Sequence, residues 1–504
     1  MSDLPALPAD LRRAVLGVLM PGFFGTSVPQ WLAPHVRDGL GGVCLFAMNT
    51  PDLATTRALC EELSALGPEL CIAVDEEGGD VSRLEAAQGS SLPGNEALGA
   101  VDDVDVTREA GRHVGALVRA AGVHLTLAPV LDVASNPGNP VIAVRSFGGD
   151  PELVARHGAA FLKGLHEAGA GGCAKHFPGH GDTAVDSHLG LPVIDVEPEV
   201  LQARDVAPFA AVADEMDAVM TAHIVVPAYG PYPATLSPWA YQMLRDTGFK
   251  GPAITDALGM AAIAAGDEEH GSGVGIGCVR ALEAGADLLC LDAPQNREPA
   301  ALFAEAYTAV AGAVLSGRLD VEALHTSAER TRACVRAVMA RPGWRADAEV
   351  NHSRVEDFGV DAASAALETS GDVVVRGRLW VADLRRSINW AAGDLGSVVL
   401  DTLNACRGQH EEILPLQASQ VDGVPDEDTV VVVTRQPLVD GHESAGLADV
   451  LARRPDAIVL HTGMSQAAPT AERLICCHGL GRPNLRAAAA ALLGGPAAEP
   501  TRTE

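Results

Sequence analysis

Eight short apolar runs punctuate the first 300 residues, and most of them precede polar or Gly-rich residues and then a stretch of helical periodicity. The runs cover residues 15–20, 42–46, 70–75, 124–132, 172–177, 218–223, 253–256 and 287–291. Strands that alternate with helices pair in parallel, because a parallel pair needs a long crossover. Eight such units predict a (β/α)8 TIM-type barrel, a fold whose active site lies at the carboxyl ends of its strands.

A second alternation follows the barrel and predicts a further α/β unit. Its strands are predicted at 372–375, 379–383, 397–400, 429–434, 457–461 and 474–477, with a closing helix at 484–493. We therefore predict a catalytic barrel over residues 1–343, a connector over 344–371, a smaller three-layer α/β domain over 372–495 and a disordered tail over 496–504.

The net charge of the chain argues against two classes of binding partner. The 36 Lys and Arg residues against 66 Asp and Glu residues give a net charge of −30. Such a chain repels nucleic acid and anionic membranes. We find neither a signal-peptide pattern nor an uncharged apolar run of the ~18 residues that span a bilayer. The ten cysteines lack zinc-like spacing and are expected to be free thiols in a reducing cytoplasm.

The segment richest in chemistry is KHFPGHGDTAVDSH, residues 175–188, which leaves the end of a predicted strand. It holds a Lys, three His and two Asp among Gly and Pro. This composition favours a loop with a role in function over an ordinary solvent-exposed loop. Asp186 lies two residues before His188, and a carboxylate beside an imidazole fixes its tautomer and stabilises the imidazolium. This spacing alone is weak evidence for an acid/base pair.

Two further strand ends carry carboxylates. Asp256 follows the run AIT, where it is either a nucleophile at the barrel rim or the cap of the next helix. Asp75 precedes EEGGDVSR, so that Arg83 lies one loop away. An Asp with an Arg at a barrel mouth can bind a polyol, although a loop salt bridge explains the same pair.

The remaining polar positions leave alternatives open. Arg145 follows a Pro-stiffened loop and is a second candidate donor, and His223 is a candidate contact or supporting residue. A metal-dependent hydrolase would use His176, His180, His223 and Asp256 as ligands. No H-x-H ends the first strand, and Lys175 would place a cation beside the metal, so we predict neither a metal nor a cofactor.

The segments VDEEGGDVSRL, APVLDVASNPGNPVIAVRSFG, KHFPGHGDTAVDSH, MTAHIVVPA and ITDALGM occur in this order along the barrel half. Together they closely resemble glycoside hydrolase family 3, and specifically its bacterial β-N-acetylglucosaminidase branch. The resemblance covers most of the barrel. Asp80 stands where many relatives have a basic residue, which is expected to alter the surface of that loop.

The resemblance implies a retaining exo-glycosidase with Asp256 as nucleophile, His188 as acid/base and Asp186 as its partner. The sugar-binding positions of the family carry over to Asp75, Arg83, Arg145, Lys175 and His176. The implied substrate is a small carbohydrate, an N-acetylglucosamine glycoside or a muropeptide fragment. Because a His acid/base is neutral after donation, phosphate is a possible acceptor in place of water. A β-glucosidase of the same family and a non-catalytic sugar-binding protein remain alternatives.

Overall fold

The computed structural model describes residues 4–185, 190–266, 270–293, 297–344, 350–386, 397–408 and 413–494. Within these residues, eight parallel strands form a ring: β1 (Leu19–Met20), β2 (Gly42–Leu45), β3 (Cys71–Val74), β4 (Leu125–Thr126), β5 (Gly171–Phe177), β6 (Ala218–Thr221), β7 (Ala253–Thr255) and β8 (Leu289–Cys290). Strands β2 to β7 form one sheet in sequence order, and β1 pairs with β8. Cys44 N donates to Pro21 O at 3.2 Å and Thr255 N to Leu288 O at 3.0 Å, which closes the ring. The predicted barrel is confirmed.

Helices connect the strands and surround them. They are α1 (Ala9–Leu16), α2 (Ala33–Arg37), α3 (Leu53–Leu66), α4 (Asn95–Val101), α5 (Val104–Ala120), α6 (Pro151–Ala168), α7 (Pro198–Val200), α8 (Ala207–Ala211), α9 (Pro238–Asp246), α10 (Ala261–Ala264), α11 (Val274–Ala284), α12 (Pro299–Leu315) and α13 (Val321–Met339). Several begin at an Asp that accepts first-turn amides, as Asp52 does from Thr55 N at 2.8 Å. Because every strand runs the same way, all carboxyl ends meet at one face.

Most barrel strands are shorter than their apolar runs, and the first and fourth runs show why. The run 15–20 spans the buried end of α1, which stops at Leu16, and only its last two residues form β1. In the run 124–132, β4 ends at Thr126, and Pro129 has no N–H to donate to a ladder. A short apolar run does not distinguish a buried helix turn from a strand.

The second unit contains a mixed sheet. Its strands are β9 (Glu368–Ser370), β10 (Leu379–Asp383), β11 (Leu414–Pro415), β12 (Thr429–Thr434), β13 (Ile458–His461) and β14 (Leu474–Cys476). Its helices are α14 (His352–Ala366), α15 (Val398–Cys406), α16 (Gly441–Arg453) and α17 (Arg482–Leu493). The sheet order is β11-β10-β12-β13-β14-β9, and β9 is antiparallel to β14 while the other pairs are parallel.

Alternate residues of β12 pack into two separate cores. Val431 and Val433 share a cluster with α15 and α17, whereas Val430 and Val432 share one with α16. A strand buried on both faces reads as a continuous apolar run, as TVVVVT does here. The predicted three-layer arrangement is therefore confirmed.

Two predicted strands of this unit are wrong. Residues 397–400 begin helix α15, and 372–375 form no strand, whereas β9 lies at 368–370 inside the segment predicted as a connector. That segment also contains α14. The predicted tail 496–504 lies outside the described residues.

The ten cysteines are free thiols, as predicted, and all but Cys406 are buried. Among the described residues, no helix has the length and apolar character needed to cross a bilayer.

Candidate active site

A chain of buried charges joins the carboxyl ends of β3, β4 and β5. Lys175 Nζ lies 2.7 Å from Asp75 Oδ1 and 2.6 Å from Glu77 Oε1. Arg145 donates from Nε and Nη2 to the two oxygens of Glu77, at 3.0 and 2.8 Å. Arg83 Nη2 lies 4.0 Å from Asp75 Oδ2. The structure thus brings together four of the sequence-predicted binding residues: Lys175 and Arg83 contact Asp75 directly, and Arg145 joins them through Glu77, which was not predicted.

Electrostatics keep this network charged. Burial acts to raise the pKa of Glu77, but Arg145 and Lys175 outweigh it and hold that pKa well below its ordinary value. Burial acts to lower the pKa of Lys175, but Asp75 and Glu77 outweigh it and the pKa is raised. Asp75 keeps 21% of its side chain exposed, against 2% for Lys175 and 3% for Glu77. Asp75 is therefore the carboxylate of this network that a ligand at the mouth can reach.

His176 belongs to a second buried cluster. Its Nδ1 lies 2.7 Å from Asp132 Oδ2, while Asp132 Oδ1 accepts from His176 N at 3.1 Å and from His180 N at 2.6 Å. Burial raises the pKa of Asp132, but His176 and His180 outweigh it and the net shift is downward. An ionised Asp132 accepts the Nδ1 proton of His176, which orients the ring and leaves Nε2 for other partners.

His180 is not equivalent to His176. Burial, and then the charge of His176, lowers the pKa of His180 to about 4, so its imidazole is neutral near pH 7. Its Nδ1 lies 2.8 Å from Thr183 Oγ1. His180 therefore contributes to the internal structure of the loop that leaves β5.

Asp256 follows β7 and is half-buried. Its Oδ1 accepts a hydrogen bond from Ala257 N at 2.8 Å. Helix α10 begins five residues later without a side-chain cap, so Asp256 is not the helix cap that the sequence left open. The Cys290 thiol inside the barrel has a pKa raised by its hydrogen bond with Cys44, by burial, and by the charges of Asp256 and Asp75. Asp256 and Asp75 directly follow β7 and β3 of one parallel sheet, so they lie at the same end of the barrel.

His223 is a supporting residue. It is fully buried, and its Nε2 lies 3.0 Å from Ala257 O, which can only accept, so Nε2 carries a proton. Its Nδ1 lies 2.9 Å from Thr235 Oγ1. These contacts fix the backbone directly after Asp256.

The sequence-predicted dyad residues Asp186 and His188 lie outside the described residues. The start of their loop is held firmly, since Asn139 Nδ2 donates to His180 O at 2.9 Å and to Gly181 O at 3.0 Å. No group of three or more His, Cys, Asp or Glu side chains suited to a metal occurs in the part of the chain that the structure describes.

Sequence reasoning did not single out Glu77 and assigned no role to Asp132. Glu77 stands in DEEGG beside a second Glu, and nothing in the local pattern shows which one contacts a cation. Asp132 ends an apolar run, as the other strand-end carboxylates do, but its pairing with His176 spans 44 residues. Strand-end position was the available signal for Asp132, whereas the role of Glu77 follows only from the folded barrel.

The family model described as "Glycosyl hydrolase family 3 N terminal domain" matches residues 27–333, more than half of the chain. The chain belongs to glycosyl hydrolase family 3. A protein named "Beta-hexosaminidase" from Pseudomonas aeruginosa (strain LESB58) is 39% identical over 257 residues, which cover 49% of this chain and 74% of that protein. "Beta-hexosaminidase A" from Pseudoalteromonas piscicida is 34% identical over 336 residues, which cover 60% of this chain but only 55% of that relative.

Solved structures extend the similarity beyond the barrel. A glycoside hydrolase family 3 β-N-acetylglucosaminidase from Paenibacillus sp. str. FPU-7 has 30% sequence identity and a TM-score of 0.83, over 97% of each chain. The second α/β unit therefore has a counterpart in that enzyme. The predicted family is confirmed, and these relatives carry the hexosaminidase and N-acetylglucosaminidase names that the sequence resemblance anticipated.

Proposed function

We propose that this family 3 protein is a retaining exo-glycosidase that removes terminal, non-reducing, β-linked N-acetylglucosamine. The observation that carries the proposal is the cluster of Asp75, Lys175 and Arg83 at the same barrel mouth as Asp256. Polar side chains at several strand ends of one barrel face are typical of a TIM-barrel active site. The names of the similar hexosaminidases support the N-acetylated sugar.

Sugar recognition is assigned to the network around Lys175. Asp75 accepts hydroxyl protons, and Arg83 beside it donates. Lys175 has three N–H donors and two carboxylate partners, so one donor remains for the sugar. Arg145 binds the sugar with the donors that neither Glu77 nor Val141 O takes, and His176 donates or accepts through Nε2.

The chemistry is assigned to Asp256 and to the His188–Asp186 dyad. Asp256 attacks the anomeric carbon as the bond to the leaving oxygen breaks, and protonated His188 gives its proton to that oxygen. In the second step, neutral His188 takes a proton from water, whose oxygen displaces Asp256. The two inversions give net retention of configuration.

The test is nitrophenol release from the aryl N-acetyl-β-glucosaminide by the wild type and by Asp256→Asn, with the aryl β-glucoside in parallel. Removal of a nucleophile is expected to lower kcat/KM by about 10⁴-fold or more, with little change in melting temperature. The exposed Asp246 on α9 supplies a matched control, since Asp246→Asn is expected to keep wild-type activity. Proton NMR of the first product identifies the anomer.

The outcomes separate the alternatives. Full activity of Asp256→Asn would contradict the nucleophile assignment. Turnover of the glucoside alone would make the protein a β-glucosidase, and sugar binding without turnover would make it a binding protein. A sugar 1-phosphate formed with added phosphate would show that phosphate replaces water as the acceptor.

A further inference from the structure

Asp80 lies between the two parts of the molecule rather than on the surface that the sequence led us to expect. Its side chain is 1% exposed, and Oδ2 lies 2.6 Å from Arg435 Nη2. Oδ1 accepts from Leu480 N at 2.6 Å. Arg435 follows β12 and Leu480 precedes α17, so one carboxylate of the barrel is held by two segments of the second unit.

Asp80 is also the middle of the turn that carries Glu77 and the sugar-binding candidate Arg83. Glu77 N donates to Val81 O at 3.0 Å across this turn. Glu76 Oε2 accepts from Arg83 N at 3.0 Å and from Leu84 N, so the turn is a compact unit from Glu77 to Arg83. A displacement of Asp80 therefore moves Glu77 and Arg83 with it.

The two backbones approach closely at this point. Gly79 has φ +61°, and a Cβ on Gly481 would lie 3.1 Å from Gly79 Cα. A Cβ on Gly479 would lie 3.0 Å from Asp80 Oδ1. The second unit thus packs so closely against the turn that Gly479 and Gly481 have no room for a side chain. The Asp80–Arg435 ion pair is buried in this contact.

The segment that carries Arg145 is held from the same side. Ser465 N, in the second unit, donates to Glu96 Oε1 at 2.7 Å. Glu96 lies in α4 next to Asn95, whose Nδ2 donates to Arg145 O at 2.7 Å. The second unit therefore supports two separate segments of the sugar-binding network.

We propose that Asp80 and Arg435 are positioning residues, and that the second unit acts through this ion pair to hold the turn after β3 in its sugar-binding conformation. The KM part of this inference rests on the proposed function. Both charges are buried, with 1% and 5% of their side chains exposed, so removing one leaves the other without its counter-ion. The backbone of the turn is then free to separate from residues 478–481.

The test compares Asp80→Asn and Arg435→Gln with Asp287→Asn in the full chain. Asp287 is a matched control, because it too is 1% exposed, pairs with an Arg at 2.7 Å and accepts a backbone N–H, but it lies before β8 at the opposite end of the barrel. Hydrogen exchange of peptides covering residues 76–84 is expected to accelerate about tenfold in the first two variants and not in the control. KM for the aryl N-acetyl-β-glucosaminide is expected to rise about tenfold, with kcat changed less than about threefold.

A double-mutant cycle separates positioning from general destabilisation. In an Arg83→Ala background, Asp80→Asn is expected to raise KM by less than the tenfold expected in the wild-type background, because one of the contacts that it positions is already absent. If Asp80→Asn does not fold, Asp80→Asn/Arg435→Gln, which leaves no unpaired charge, takes its place. Unchanged exchange at residues 76–84 would overturn the inference whether or not the wild type hydrolyses the aryl substrate. Accelerated exchange with an inactive wild type would support the positioning and overturn only the proposed function.

Discussion

Buried charges occur at both ends of the barrel. At the amino end they connect strands to the segments that pack over them, whereas at the carboxyl end they mainly pair with one another. At the amino end, Asp287 accepts from Ala253 N at 2.9 Å and from Arg245, and it also pairs with Arg330 of α13. At the same end, Asp217 accepts from Gly172 N at 2.9 Å and pairs with Arg341 just beyond α13. Each of these carboxylates therefore connects the start of a barrel strand to α13 or to the residues directly after α13.

At the carboxyl end, the charged groups pair mainly with one another. Lys175 lies between Asp75 and Glu77, and the three side chains come from loop or strand-end positions of two strands. Asp75 remains partly exposed, whereas Asp287 is 1% exposed. At the amino end, a backbone amide and Arg side chains together hold each carboxylate and close the fold. At the carboxyl end, the partly exposed Asp75 remains available to a ligand. The two ends should therefore respond differently to substitution.

The largest effect is expected from Lys175→Met. The variant places Asp75 and Glu77 close together without the cation between them, which is expected to lower the free energy of unfolding by about 3–5 kcal/mol. Activity of the folded fraction is also expected to fall, by about 10²-fold or more, because a sugar donor is lost. Urea unfolding and kcat/KM measured on the same samples check both effects. A stable variant with normal kcat/KM would contradict the network's role.

A smaller, purely structural effect is expected from Asp287→Asn. Loss of one charge leaves Arg245 and Arg330 without their buried partner, and we expect about 2–4 kcal/mol of lost stability. The kcat/KM of the folded protein should stay within about twofold of the wild type. A large loss of kcat/KM at temperatures where the variant is folded would show that the two barrel ends are not independent.

A third effect depends on pH and concerns Glu76, which lies next to Glu77 in sequence but does not pair with Lys175 or Arg145. Burial, and then the charge of Glu85, raises the pKa of Glu76 to about 8. The folded protein keeps this proton up to about pH 8, whereas the unfolded chain loses it near 4.5, so stability falls as the pH rises between these values. Glu76→Gln keeps an acceptor for Arg83 N and Leu84 N without a titrating group.

The measurement is the melting temperature of the wild type and of Glu76→Gln at several pH values from 4.5 to 9. The variant is expected to lose less stability over this range than the wild type and to be the more stable protein above about pH 8. Parallel curves for the two proteins would show that Glu76 is not the source of the slope. Asp246→Asn, on the exposed end of α9, is the control for an acidic residue outside the site.

The sequence by itself determined the barrel, the order of its strands and the face at which its polar residues meet. Those properties follow from periodicities and strand ends that extend over a few residues, so Asp75, Lys175 and Asp256 could be placed at one mouth in advance. The same local information misassigned 397–400, because an apolar run of that length fits a strand or a buried helix turn.

Only the tertiary structure decided which charges pair. Glu77 meets Arg145 across 68 residues, Asp132 meets His176 across 44, and Asp80 meets Leu480 across 400. No local pattern encodes such a partner, since the free energy of a buried charge depends on what the whole fold places within a few ångströms of it. For this reason Asp80, which the sequence placed on the surface of a loop, is in the folded chain the point where the second unit reaches the sugar-binding turn.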